Sequence, residues 1–268
     1  MTEADWWATS YPDKLLNWLF YTAQASERKF RLFSLACCRQ VGDLLADSAF
    51  PQLLVLMEVL ADDPVDAAKI ERLRRAGRDN LYSVSSAHRT PKWHARNAAL
   101  CGTGALWEGR GWQSRPAYWE YVYQNSEGGW LLGPFPHVVS EAVFCAHPRR
   151  EQAEALAYQL RVIRDLFGPL PFRDITVPQA WLTSDVLALA RGIYDEHAFE
   201  RMPILADALQ EAGCDNDDIL DHCRHEPFFV GGDAPKHRSA ASGHVRGCWV
   251  IDLLLRRPWR SARPHPRR

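Results

Sequence analysis

Apolar side chains return every three or four positions along most of this chain, and that spacing constrains the fold more than any other feature. A period near 3.6 gives an α-helix one wet and one dry face, whereas a half-buried strand needs strict alternation. Phe30, Phe33, Cys37, Val41 and Leu44 carry the pattern from Ser26 onward, with Arg28, Arg31 and Arg39 between them. The spacing predicts an amphipathic helix of about five turns. Thr2 and Asp5 form a variant capping box ahead of Trp6 and Trp7, and Asp13 is expected to cap a helix holding Leu15, Leu16, Trp18, Leu19 and Phe20. Residues 48–60 and 64–78 read as two further helices, the second highly charged and at the surface.

Helical order returns in the second half of the sequence. Ala153, Leu156, Ala157, Leu160, Ile163 and Phe167 form a stripe that Gly168 and Pro169 terminate, a permissive C-cap followed by a residue without an N–H. After a Pro-rich link, residues 184–194 form another helix. Pro203 stands at a plausible first helical position, Leu205, Ala208 and Leu209 face inward, Gly213 ends the helix, and Asp215 is expected to cap its successor, with Ile219 and Leu220 inside. Residues 225–243 are rich in Gly, Pro and Ser and read as a loop. Val245, Cys248, Ile251 and Leu255 then continue as a last helix.

Residues 79–136 break this order. Gly, Ser, Asn and Pro rise there, and Trp107, Trp112, Trp119 and Trp130 crowd together with Tyr118, Tyr121 and Tyr123. An irregular aromatic insertion and a small strand-containing subregion both fit, with Gly128-Gly129 as a turn in either. Trp112, Trp119 and Trp130 are the candidate stacking surface for a flat or Pro-rich ligand; the competing reading is that the rings staple the insertion onto the helical body.

The expected fold is mainly α: a single multi-helix, bundle-like globular body with an irregular aromatic-rich central insertion and a flexible basic C-terminal tail. Residues 1–78 and 137–255 supply helices that pack as one domain, 79–136 the insertion, and 256–268 a disordered tail. That tail holds six arginines and no acid, which leaves −7 on residues 1–255 out of a net charge of −1. An acidic body repels phosphate, so nucleic acid is not an expected partner except through Arg256–Arg268. No unbroken apolar run exceeds five residues, far from the roughly 20 of a membrane span. Neither a membrane nor a secretory signal is expected, and seven thinly spread cysteines fit reduced thiols in the cytoplasm better than a disulfide framework.

Three strings, Pro203-Ile-Leu-Ala-Asp-Ala-Leu-Gln-Glu-Ala-Gly-Cys214, Asp218-Ile-Leu-Asp-His-Cys-Arg224 and His244-Val-Arg-Gly-Cys-Trp-Val-Ile-Asp-Leu-Leu-Leu255, resemble a planctomycete-type family of uncharacterised bacterial proteins. Residues 1–6, 28–39 and 172–183 resemble the same family. The resemblance implies lineage and carries no activity. Relatives commonly have an alanine-rich helical stretch where this chain has its aromatic segment.

Cys214, His222, Cys223, His244 and Cys248 are the candidate metal ligands, because thiolate and imidazole are what tetrahedral zinc prefers. On a helix His244 and Cys248 would share a face, and of the adjacent His222 and Cys223 only one could serve. Against this, no C-x-x-C is present, and a small thiol on an inward helix face commonly packs as an apolar residue. Asp252 extends the stripe His244, Cys248 to a third position, but a nucleophilic triad needs the histidine in the middle. The hairpin 203–224 fails as a DNA reader because Asp215, Asp217, Asp218 and Asp221 oppose phosphate. It also fails as a calcium loop, since Ile219 stands where an oxygen is required. Gly102-Thr-Gly104 lacks the third glycine of a dinucleotide fingerprint. No catalytic template survives. The leading expectation is therefore a non-catalytic protein-interaction or structural helical protein with no cofactor and an unidentified protein partner, the alternative a small zinc-binding protein built on the C-terminal Cys/His cluster.

Overall fold

The computed structural model describes residues 1–22, 24–46, 49–63, 65–83, 90–103, 123–124, 130–131, 135–224 and 243–260. Mainly helical, as the periodicity predicts, it divides into two compact units, Met1–Ala8 with Arg161–Arg260 and Thr9–Leu160. Twelve helices lie among the described residues: α1 (Glu3–Ala8), α2 (Pro12–Tyr21), α3 (Glu27–Gln40), α4 (Phe50–Asp62), α5 (Ala67–Ser83), α6 (Pro91–Gly102), α7 (Phe135–Ala146), α8 (Gln152–Phe167), α9 (Ser184–Glu196), α10 (Met202–Glu211), α11 (Asp217–Arg224) and α12 (Trp249–Leu254). Strands β1 (Tyr123–Gln124) and β2 (Trp130–Leu131) pair antiparallel, Tyr123 opposite Leu131. Trp112, Trp119, the Gly128-Gly129 turn, the loop 225–242 and the tail from Ser261 lie outside the described residues.

Helix starts follow the side-chain chemistry of their caps. Thr2 and Asp5 close a reciprocal box, the Asp5 amide donating to Thr2 Oγ1 at 3.1 Å and the Thr2 amide to Asp5 Oδ2 at 2.9 Å. Ser26 accepts from the Lys29 amide, Thr90 from Trp93 and Thr183 from Val186, each satisfying a donor that lacks a helical partner. Two expected caps are corrected. Asp13 lies inside α2, which Pro12 opens behind Tyr11, and α11 is capped by Asn216, whose Oδ1 accepts from the Ile219 amide at 3.0 Å, rather than by Asp215. The long N-terminal stripe is also shorter than its period suggests: α3 stops at Gln40, and Gly42–Leu45 tighten into a 3₁₀ turn.

In the unit Thr9–Leu160, α6 runs through the interior, packed against α3, α4, α5 and α7. Ala95, Ala98, Ala99, Leu100 and Cys101 are buried, as are Phe30, Phe33, Leu53 and Met57 of the helices α3 and α4 packed against it. Small alanines on α6 allow the close helix approach that such a central position needs. As the charge pattern predicts, the first part of α5 stays largely at the surface.

The other unit gathers the C-terminal turns of α8 with α9–α12 and α1. Its core joins Val186, Ala190, Ile193 and Tyr194 of α9 to Met202, Leu205 and Leu209 of α10, Ile219 and Cys223 of α11, and Trp249, Ile251 and Leu254 of α12. Trp6 packs edge-on to Phe172 at 5.8 Å, and Arg173 binds Glu3 and Asp218 at 2.8 Å each, tying α1 to α11. Gly213 at φ 88° turns the chain between α10 and α11 in a conformation that a Cβ would strain. The last predicted helix is corrected: α12 begins only at Trp249, and His244 to Cys248 form its approach, with Gly247 at φ 87° and the Cys248 amide donating to Val245 O at 2.9 Å.

Candidate metal centre

Four side chains of the unit that holds α9–α12 meet at one point. Asp165 comes from the last turn of α8, His222 from the last turn of α11, His244 from the chain entering the Val245–Cys248 turn, and Cys248 from the position before α12. One donor atom from each lies within 4.8 Å of every other. Asp165 and Cys248 are fully buried, the His244 side chain is 3% exposed and that of His222 12%.

Local sequence explains each placement. Val162, Ile163, Leu166 and Phe167 are all buried, so the last two turns of α8 carry Asp165 into the interior with them. A carboxylate at a helix C-terminus opposes the macrodipole and needs a cation nearby. His222 sits at the edge of the buried stripe Ile219, Leu220 and Cys223. The turn before α12 presents the Val245 amide, which donates to Asp165 Oδ2 at 2.8 Å and leaves Oδ1 to face the imidazoles. His244 Nδ1 lies 2.6 Å from that Oδ1 and His222 Nε2 3.2 Å from it. The same His222 Nε2 is 3.1 Å from Cys248 Sγ. The two imidazoles pack edge to face, 4.8 Å between centroids.

Burial pushes the Asp165 carboxyl up, but the charge of His244, hydrogen bonds from both imidazoles and the charge of His222 outweigh it and hold the group well below the usual carboxylate range. Burial, then the Asp165 charge, push the Cys248 thiol well up, against the amides of Ile251 and Val250, which favour its thiolate. A free nucleophile is therefore not what this sulfur provides. The triad geometry fails as well. In a triad the carboxylate binds the ring nitrogen opposite the one that serves the nucleophile, whereas Asp165 Oδ1 and Cys248 Sγ face the same Nε2 of His222.

That shared nitrogen is compatible with a metal centre. One Nε2 carries either one hydrogen or one lone pair and cannot satisfy a carboxylate and a sulfur well at once, while a cation among the donors satisfies all of them. Bonds of about 2.0–2.3 Å set donors roughly 3.3–3.8 Å apart around a tetrahedral ion. Contacts of 2.6, 3.1 and 3.2 Å within a 4.8 Å group lie on either side of that spacing. Two imidazoles, a thiolate and one carboxylate oxygen suit zinc and disfavour calcium or magnesium, which take oxygen.

Of the five residues singled out in the sequence, His222, His244 and Cys248 are brought together. Cys214 and Cys223 are not among the four: both are buried in the apolar core, where burial raises each thiol first and neighbouring charge adds to it. His244 and Cys248 do not share a helix face; the turn brings them together instead. Asp165, 79 residues from His244, was not singled out by spacing. The available signal is physical, an acid in the last turn of a helix whose Val162, Ile163, Leu166 and Phe167 are apolar. No family model, curated protein or solved structure matches the chain.

Proposed function

We propose that this is a zinc-binding helical protein whose ion is structural, held by Asp165, His222, His244 and Cys248. The observation that carries the reading is the mutual approach of four chemically suitable donors within 4.8 Å, around a histidine nitrogen that faces both a carboxylate and a sulfur. Four protein donors and burial of all but an edge of His222 leave no open position for a substrate, the mark of a structural rather than a catalytic centre. Within this reading the ion pins α8, α11 and the approach to α12 to one another, and the protein acts as a non-catalytic scaffold.

Elemental analysis of protein purified without added metal tests the proposal. One equivalent of zinc per chain, lost in Cys248→Ser and His244→Ala, with a melting temperature lowered by chelator, is the expected result. Absence of stoichiometric metal, together with melting indifferent to chelator or to added zinc, overturns it and leaves the quartet as a buried hydrogen-bond network.

A further inference from the structure

One aromatic side chain adjoins the segments that carry three of the four proposed ligands. Trp249 follows Cys248 in sequence, and its indole lies 5.1 Å from the His222 ring, tilted by 54°. Its pyrrole edge rests on Gly168, three residues beyond Asp165: a Cβ there would stand 2.5 Å from Nε1, 2.6 Å from Cδ1 and 2.7 Å from Cε2. Such distances are below any ordinary carbon contact, so only glycine permits the approach, and at φ 51° only glycine adopts the backbone without strain. Trp249 is 1% exposed, and its Nε1 is buried with no hydrogen-bond partner among the described residues. An orphaned indole N–H is a cost that a purely apolar side chain would avoid.

We propose that Trp249, clamped by Gly168, is a positioning residue of the metal centre: it fixes the distance between the end of α8 and the start of α12 and supports the ring of His222 from behind. This rests on the zinc reading given above. Asp165 and Cys248 are carried by the two backbones that the Gly168–Trp249 contact joins, so displacing the indole moves both donors and frees His222 to rotate. Partners of this kind, which orient ligands without touching the ion, typically change metal affinity 10- to 100-fold.

The test uses cobalt(II) as a spectroscopic stand-in for zinc, with competition by a chelator to rank affinity, on the full chain. Trp249→Ala is expected to bind cobalt about 10- to 100-fold more weakly and, at saturating metal, to show an altered visible band. Mere loss of stability would weaken binding but leave the saturated band where it was. Gly168→Ala should lose affinity too, and the double variant should lose less than the sum of the two single losses, since the added methyl then has no indole to strike while the backbone strain at φ 51° remains. Trp249→Phe, which keeps an aromatic face and the fold, should fall between the wild type and Trp249→Ala, and carries the test if the alanine variant does not fold. Wild-type affinity and an unchanged band in both Trp249→Phe and Gly168→Ala overturn the positioning role while leaving the metal centre intact. A wild-type protein that binds neither cobalt nor zinc overturns both.

Discussion

Replacing Asp165 by asparagine separates a metal ligand from a buried hydrogen-bond acceptor, because the two roles differ in their response to chelator. The side chain keeps its volume, so no cavity opens. Its amide oxygen can still accept from the Val245 amide, 2.8 Å away in the wild type, which leaves the NH₂ facing His244 Nδ1 and His222 Nε2. That NH₂ is a donor where the wild type has an acceptor, so it can pair with the imidazoles only through their lone pairs, and losing the charge-assisted bonds costs about 1–3 kcal/mol. Metal adds a second, separable contribution. Zinc held at 1,000 times its dissociation constant stabilises the folded state by about 4 kcal/mol, and an amide nitrogen in place of the carboxylate oxygen forfeits most of it. At about 2–4 °C per kcal/mol, the wild type should melt at least about 10 °C above Asp165→Asn with zinc present, the full metal contribution adding about 8–16 °C to a gap of only about 2–12 °C in chelator. Thermal unfolding followed by circular dichroism in the two buffers measures both gaps. Equal gaps would mean that Asp165 serves the fold through hydrogen bonds alone and would refute the metal argument.

Six of the seven cysteines are buried and Cys145 is partly exposed, so iodoacetamide followed by mass spectrometry should label Cys145 first; Cys101, pushed up to about 12 by burial, should resist. Labelling of Cys248 in the native protein at the rate of a free thiol would contradict its assignment as a ligand. Thr183→Ala removes the cap that accepts from the Val186 amide at 3.3 Å and should destabilise α9 by about 1 kcal/mol, read from urea midpoints, with Thr183→Ser restoring most of it. Arg173→Ala breaks the 2.8 Å pairs to Glu3 and Asp218, but at a half-exposed site it should cost under about 1 kcal/mol, and the difference should vanish in 1 M salt.

Much of the helical framework was legible because its signals are local. The Thr2–Asp5 box, the stop at Gly168 and the hairpin turn at Gly213 each depend on residues a few positions apart, and each is found where the sequence predicts it. Where a prediction misses, a nearby competitor wins: Asn216 outdoes Asp215 as the cap of α11, and Gly247 stops the apolar stripe of α12 from extending back to Val245. The site was half legible. Its histidines and cysteines stand out as residue types that bind metal, but the choice of Cys248 over Cys214 and Cys223 turns on which thiol lies beside an imidazole nitrogen.

Taken alone, the sequence determined that this chain would fold into amphipathic helices and where most of them begin and end, because capping and periodicity act over one or two turns. It also determined the chemical inventory available near the C-terminus. Only tertiary structure decided that Asp165 completes the group, since a carboxylate 79 residues from its histidine partner carries no spacing that marks it among 33 acids. Packing brought it there: the apolar stripe of α8 is driven into the core, and an acid within that stripe is stable only beside the cation or imidazoles that the rest of the fold supplies.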